Sequence, residues 1–330
     1  MVEVKRIFNW VATNMTIVIF ITLFSSIKLQ SQSYPQNSLY LIDLYSINPA
    51  YAGLDRSLSA NFNYRDQWSG FEANPQQLYV NAHLPVYLLD GGAGVSLRSD
   101  QLGALRFNTI NFSYNRIINT EFGIISGGLS LGLRNTSLDG STLITPEGIY
   151  LGTTFDHQDQ FLSTDVATTT RLQTGLGIFL GSRRFDFGIS VDNIFFKGDE
   201  IGNITTSNHD VVKVFARAPV VINDLILYPS LLLKTNFDQL QTDISCLVKS
   251  GNIFGGMSLR GYGRNSIDSA VLIGGIRVND NYTISYSYDI GLSNIRIVSQ
   301  GVHEVNINYN LNKLIGLGLP PEIIYNPRNL

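Results

Sequence analysis

The residues of this chain that could do chemistry are few. His83 and His303 stand far apart in the sequence, and the single cysteine, Cys246, has no partner for a disulfide or a CxxC metal pair. A metal or acid–base site needs convergent partners, and the sequence names none for either histidine. There is no Walker phosphate loop, no HExxH helix and no GxSxG elbow. What does recur is a set of charges on polar positions: Arg65, Arg98, Arg134, Lys234, Lys249, Arg260 and Arg277 against Asp186, Asp192, Asp243, Asp289 and Glu304. They could line a selective channel. Because the signs are mixed and neither dominates, they read better as pairs that hold a filled lumen together.

The elements that position them alternate with period two. Leu58, Ala60, Phe62 and Tyr64 oppose Ser59, Asn61, Asn63 and Arg65, and after a turn-rich link Leu78, Val80, Ala82 and Leu84 oppose Gln77, Tyr79, Asn81 and His83. Each segment is a strand with one apolar and one polar face. The pattern returns twelve more times, ending at Val305–Leu311, which makes about fourteen strands. Alternation puts His83 with the polar set and His303 with the apolar one. Cys246 falls on the apolar face, as a small lipid-facing or packing residue. Pro229 in the ninth strand calls for a bulge or a strand end.

Composition says what the apolar face meets. Of 330 residues only 15% are charged, against 44% apolar, with 16 Tyr and 18 Phe. Soluble domains carry roughly 25% charge, whereas a β protein that turns half its exterior to lipid needs fewer charges and more interfacial aromatics. A net charge of −3 gives no sign of a nucleic-acid surface. Lys5 and Arg6 ahead of an uncharged run to Ile27, then Ser31-Gln32-Ser33, predict a signal peptide over 1–33.

The expected domains are a periplasmic lead-in at 34–56, an outer-membrane barrel at 57–312 and a C-terminal periplasmic extension at 313–330. Tight links alternate with longer ones at 66–76, 99–105, 135–170, 193–210, 261–268 and 291–301. Short periplasmic turns, long extracellular loops and an even strand count describe a transmembrane antiparallel β-barrel. A secreted sandwich or propeller also alternates, but its strands run about 5–6 residues rather than about ten, and polar faces of Gly, Ser, Asn and charge wall a wet lumen better than a dry core.

Particular residues then resemble a family. Asn48-Pro49-Ala50-Tyr51-Ala52-Gly53 is followed by Tyr64-Arg65-Asp66-Gln67-Trp68-Ser69-Gly70-Phe71 and His83-Leu84-Pro85. Tyr286-Ser287-Tyr288-Asp289 and Gly301-Val302-His303-Glu304-Val305 come later in the chain. In this order they resemble the PorP/SprF family of Bacteroidota outer-membrane proteins. The tail beyond Leu311 departs from it, since family members usually end near the last strand.

The resemblance implies a non-enzymatic component of type IX secretion without cofactors, located in the outer membrane. It further implies partners: a secreted surface protein, often a gliding adhesin, and other secretion components in the periplasm and outer membrane, besides membrane lipid. Its motif residues Asn48, Pro49, Tyr51, Gly53, Tyr64, Arg65, Gln67, Trp68, Gly70, Phe71, His83, Tyr288, Asp289, His303 and Glu304 become the candidates for partner contact. The aromatics of the 65–71 segment could instead form an interfacial girdle. A passive porin is the alternative function, because fold does not fix function.

Overall fold

The structure, a computed structural model, describes residues 36–70, 73–151, 154–159, 161–194, 198–201, 204–206, 210–262, 267–292 and 300–315. The expected signal peptide and most of the expected tail lie outside these residues. The first seven strands are β1 (Ser59–Gln67), β2 (Gln76–Val86), β3 (Gly91–Leu102), β4 (Leu105–Thr120), β5 (Gly123–Asp139), β6 (Val166–Gly181) and β7 (Asp186–Asp192). The other seven are β8 (Val211–Arg217), β9 (Leu225–Thr235), β10 (Leu240–Ser250), β11 (Ile253–Tyr262), β12 (Ser269–Arg277), β13 (Tyr282–Gly291) and β14 (Val302–Asn310). Each pairs antiparallel with its neighbours, and β1 pairs with β14, so the sheet closes as a 14-strand barrel. Closure leaves no unpaired sheet edge, the condition for a β structure in hydrocarbon.

The register lines up the apolar positions around the outside. Phe62 sits beside Val80 and Ile307, and Tyr64 beside Leu78 and Val305. Around the wall Phe112, Leu129, Ile178, Ile244 and Met257 are all more than half exposed, a belt that only lipid can cover. Cys246 is exposed within that belt. Pro229, expected to force a bulge, lies in register opposite Cys246. The accommodation is made on its other side, where pairing lapses at 218–219 and resumes with Val220–Ile222 in unchanged register. That is where the donor missing from proline would otherwise be needed.

The loops differ from expectation on one side of the barrel. β3 and β4 meet at a two-residue link, Gly103 and Ala104, and β4, β5 and β6 run for 16, 17 and 16 residues. The expected long loop at 99–105 is therefore strand, and the one at 135–170 shrinks to 140–165. Here the outer face turns polar, with Arg106 and Asn108, Asn135 and Ser137, Thr168 and Thr170, so the apolar alternation stops while the ladder continues. Threonine and valine suit a pleated surface whichever solvent they face. The result is a palisade rising about 15–20 Å above the belt on that side, at about 3.3 Å per residue.

The largest correction concerns the lead-in. From Gln36 onward it lies inside the barrel rather than in the periplasm. Leu39, Tyr40, Leu41, Leu44, Tyr45 and Ile47 are buried, with Phe215, Tyr228, Leu232, Leu247, Val271 and Ile273 of β8–β12 in the same core. Those strands present large apolar residues inward, and the lead-in packs against them and keeps them from water. The part of the lumen walled by these strands is thus filled by the chain itself.

Candidate functional site

The plug enters β1 at the end of the barrel that carries the short turns. There, Asn48 caps a single 3-10 turn, Pro49–Tyr51: its Oδ1 accepts from Ala50 N at 2.9 Å, and its Nδ2 donates to the Ile178 and Ile189 carbonyls at 2.9 and 3.2 Å. Asn115 Nδ2 donates to the carbonyls of Ala50 at 2.6 Å and Ala52 at 2.7 Å, and the Ser126 hydroxyl donates to Ala50 O at 2.7 Å. Gly53 sits at φ +72, where a Cβ would lie 2.8 Å from Leu84 O, and its N–H donates to His83 Nδ1 at 3.1 Å. A Cβ on Gly128 would lie 2.6 Å from Ala50 Cα, so this inward glycine lets the turn dock on β5. The Tyr51 ring meets Phe179 edge-on at 5.1 Å.

Toward the loop end the plug is held by charge. Arg65 donates to Glu304 Oε2 at 2.7 Å and Asp289 Oδ2 at 2.8 Å. Arg260 donates to Asp289 at 3.0 Å and Asp243 at 2.6 Å. Ser38 joins them: its N–H donates to Glu304 at 2.9 Å, and its hydroxyl accepts from Arg65 at 2.9 Å and donates to Asp289. All five charged side chains are buried, and in so dry a site each carboxylate is tolerable because it is paired and hydrogen-bonded. Within the plug, burial pushes the Tyr40 and Tyr45 hydroxyls up to about 12.

The sequence-derived candidates divide into three groups. Asn48, Pro49, Tyr51, Gly53, His83, Arg65, Asp289 and Glu304 are buried and bond within the chain as the plug and its clasp. Tyr64, Tyr288 and His303 lie on the outer wall, with Tyr286 Oη 2.6 Å from His303 Nδ1 and Tyr288 Oη donating to Gln300 O at 2.9 Å. Gln67, Trp68 and Gly70 are at the loop rim, where Ser69 and the 300–301 backbone bond reciprocally at 3.1 and 2.8 Å. Phe71 lies outside the described residues. His83 and His303 thus face opposite sides of the wall. Sequence reasoning missed Ser38, Asn81, Asn115 and Ser126 as plug contacts. The available signal was the apolar content of 39–47, too high for an aqueous lead-in.

Between plug and rim lies a cavity of about 460 Å³. Tyr45 to Pro49 form its floor, and Leu102, Leu105 and Phe107 of the palisade form part of its wall. Above the rim, the described residues of the 140–165 connection are themselves folded. His157 is 1% exposed, its Nε2–H donating to the Gly140 carbonyl at 3.0 Å while Nδ1 accepts from the Tyr150 hydroxyl at 2.8 Å. Thr145 N donates to the same hydroxyl at 2.7 Å. Around this pin Ile144, Leu151 and Phe161 stand exposed at 79%, 80% and 56%.

A family model described as "Type IX secretion system membrane protein PorP/SprF" matches residues 29–309. The chain belongs to the PorP/SprF family. As a PorP/SprF protein it is an outer-membrane component of type IX secretion, a role that implies contact with other components of that system. Solved structures similar to this PorP/SprF chain are outer-membrane barrels. The "CymD monoaromatic hydrocarbon channel" aligns over 87% of this chain and 96% of its own, with TM-score 0.50 and 10% identity. Omp33 of Acinetobacter baumannii aligns over 77% and 96%, with TM-score 0.44 and 8% identity. A mutant porin of Rh. blastica aligns over 77% and 98%, with TM-score 0.35 and 10% identity. At such identities the likeness concerns the fold alone. No curated protein matches the sequence.

Proposed function

We propose that this PorP/SprF barrel is a plugged docking platform that anchors a secreted surface protein, of the gliding-adhesin kind, at the cell exterior. The observation that carries this reading is the 140–165 loop, which is folded around His157 yet turns Ile144, Leu151 and Phe161 to solvent beyond the lipid belt. Apolar side chains exposed together outside the bilayer favour a protein partner, and a pre-folded loop loses little entropy on binding it. The 193–210 connection contributes a second short hairpin, Asp199–Ile201 with Ile204–Thr206, whose Ile201 is buried. The turn end and the chain beyond residue 311 are left for periplasmic components.

The test is removal of 140–165 from a correctly inserted barrel. Loss of surface display of the cognate protein is expected, and unchanged display would refute the reading. The porin alternative predicts steady conductance of the purified chain in planar bilayers. A lumen filled from Gln36 to Ser57 favours silence.

A further inference from the structure

At the turn end the wall stays apolar past the point where it leaves the lipid. Arg116 of β4 points outward and pairs with Asp90 at 3.0 Å, both side chains more than half exposed, which marks the height where hydrocarbon has ended. Beyond that pair the β4–β5 hairpin continues, with Ile118 opposite Ile125 and Phe122 90% exposed at its tip. Leu88, 97% exposed, and Leu89 crown the β2–β3 turn, and Phe185 stands half exposed at the β6–β7 turn. The three turns form one surface. Ile117 N donates to Asp90 O at 2.9 Å and the Tyr114 hydroxyl to Leu89 O at 2.7 Å, while a Cβ on Gly123 would lie 2.2 Å from Gly181 O. The tips of the β10–β11 and β12–β13 turns, by contrast, are Gly251-Asn252 and Asn279-Asp280-Asn281. One arc of the rim thus presents apolar side chains to the periplasm, and a contiguous patch of that kind marks a contact.

The chain itself is delivered to this arc. After β14, Leu311 N donates to Leu58 O at 2.9 Å, Lys313 N to the Ser57 hydroxyl at 3.3 Å and Ile315 N to Arg56 O at 3.4 Å. Arg56 lies within electrostatic reach of Tyr87, so residue 316 starts beside the β2–β3 turn. From there to the β6–β7 turn is four strand spacings, about 20 Å at about 4.8 Å each. Extended chain covers that distance in about seven residues at about 3.1 Å each. The sequence that follows supplies Leu317 and Leu319, then Pro320-Pro321, Glu322 and Ile323-Ile324-Tyr325. Consecutive prolines favour an extended backbone over a helix. At that reach Glu322 arrives at the β6–β7 turn, where Arg183 and Arg184 are exposed.

We propose that residues 317–325 lie along these three turns as a strap. Their apolar side chains cover Leu88, Phe122 and Phe185, and Arg183 and Arg184 receive Glu322. Tethering favours this occupant, because a segment joined beside its site is present at an effective concentration on the order of millimolar. A periplasmic component that reaches this end of the barrel meets the strap first. The outer-loop docking reading is independent of it.

The test uses the whole chain in nanodiscs, in a Cys246→Ser background, with Phe122→Cys as reporter and a membrane-impermeant maleimide as probe. Labelling is expected to be at least about fivefold faster when the chain is stopped after Ile315, in a barrel whose folding is verified by its heat-dependent gel mobility. Should the shortened chain not fold, Ile323→Ser/Ile324→Ser/Tyr325→Ser in the full-length chain is read the same way. Under copper-phenanthroline oxidation, Ile324→Cys is expected to form an intramolecular disulfide with Phe185→Cys and not with Asp280→Cys. The proposal is overturned if loss of the strap leaves the labelling rate unchanged, which if slow assigns the arc to lipid. It is overturned equally if the disulfide forms as readily with Asp280→Cys, or if it joins two chains, which would give the arc to a second copy.

Discussion

Arg65 and Glu304 are 239 residues apart in the chain and directly opposite each other across the β1–β14 seam, joined at 2.7 Å in a site where neither is more than 3% exposed. The same carboxylate accepts the N–H groups of Ser38 and Leu39 at 2.9 and 3.2 Å. One ion pair therefore ties the first strand to the last and the plug to both. Barrel closure and plug seating are a single event at this point.

Removing one member of that clasp leaves a buried charge without its partner. Glu304→Ala is expected to cost about 3–5 kcal/mol, seen as a lower midpoint of heat-modified gel mobility. The Arg65→Met/Glu304→Leu pair should cost less than the sum of its single changes, because the isolated charge is gone. Additive losses would show that the two side chains do not act together.

Asn115 bonds two plug carbonyls, those of Ala50 and Ala52. Asn115→Ala should weaken plug seating by about 2 kcal/mol at about 1 per hydrogen bond, with the barrel itself intact. Brief openings over a silent wild-type baseline are expected in planar bilayers. A chain lacking 34–56 that inserts should conduct continuously, and a silent one would mean that the plug is not what closes the pore.

Orientation is tested by cysteine chemistry. Cys246 faces lipid, so a membrane-soluble maleimide should label it and an impermeant one should not. In a Cys246→Ser background, Leu151→Cys, at a position 80% exposed in the outer loop, should react with the impermeant reagent on intact cells, and Asp280→Cys in the opposite turn should not. Labelling in the reverse order would invert the barrel.

The pin inside the outer loop can be loosened without touching the wall. His157→Ala removes the contacts to Gly140 and Tyr150, so protease cleavage within 140–165 should accelerate several-fold while the barrel keeps its thermal midpoint. Equal cleavage rates would mean that the loop owes its shape to something else.

Which parts were legible follows from what a periodic pattern can encode. Phe62, Ile178 and Ile244 declared their outward direction because alternation against lipid repeats every two residues, and the fourteen strands could be read from that repeat. Asn135, Thr168 and Thr170 did not declare theirs. Once a strand rises above the bilayer, both faces meet water and its alternation disappears, although the ladder persists.

The interior was legible only as chemistry without address. The sequence alone determined a lipid-facing barrel and the mixed, inward set of Arg65, Arg260, Asp243, Asp289 and Glu304, since residue type and parity suffice for both. Only the tertiary structure decided that Gln36 to Ser57 occupy the lumen, that Ser38 completes the clasp and that a polar cavity is left above. Those outcomes depend on which distant strands curve round to face one another, and a local period of two carries no information about distance across a closed barrel.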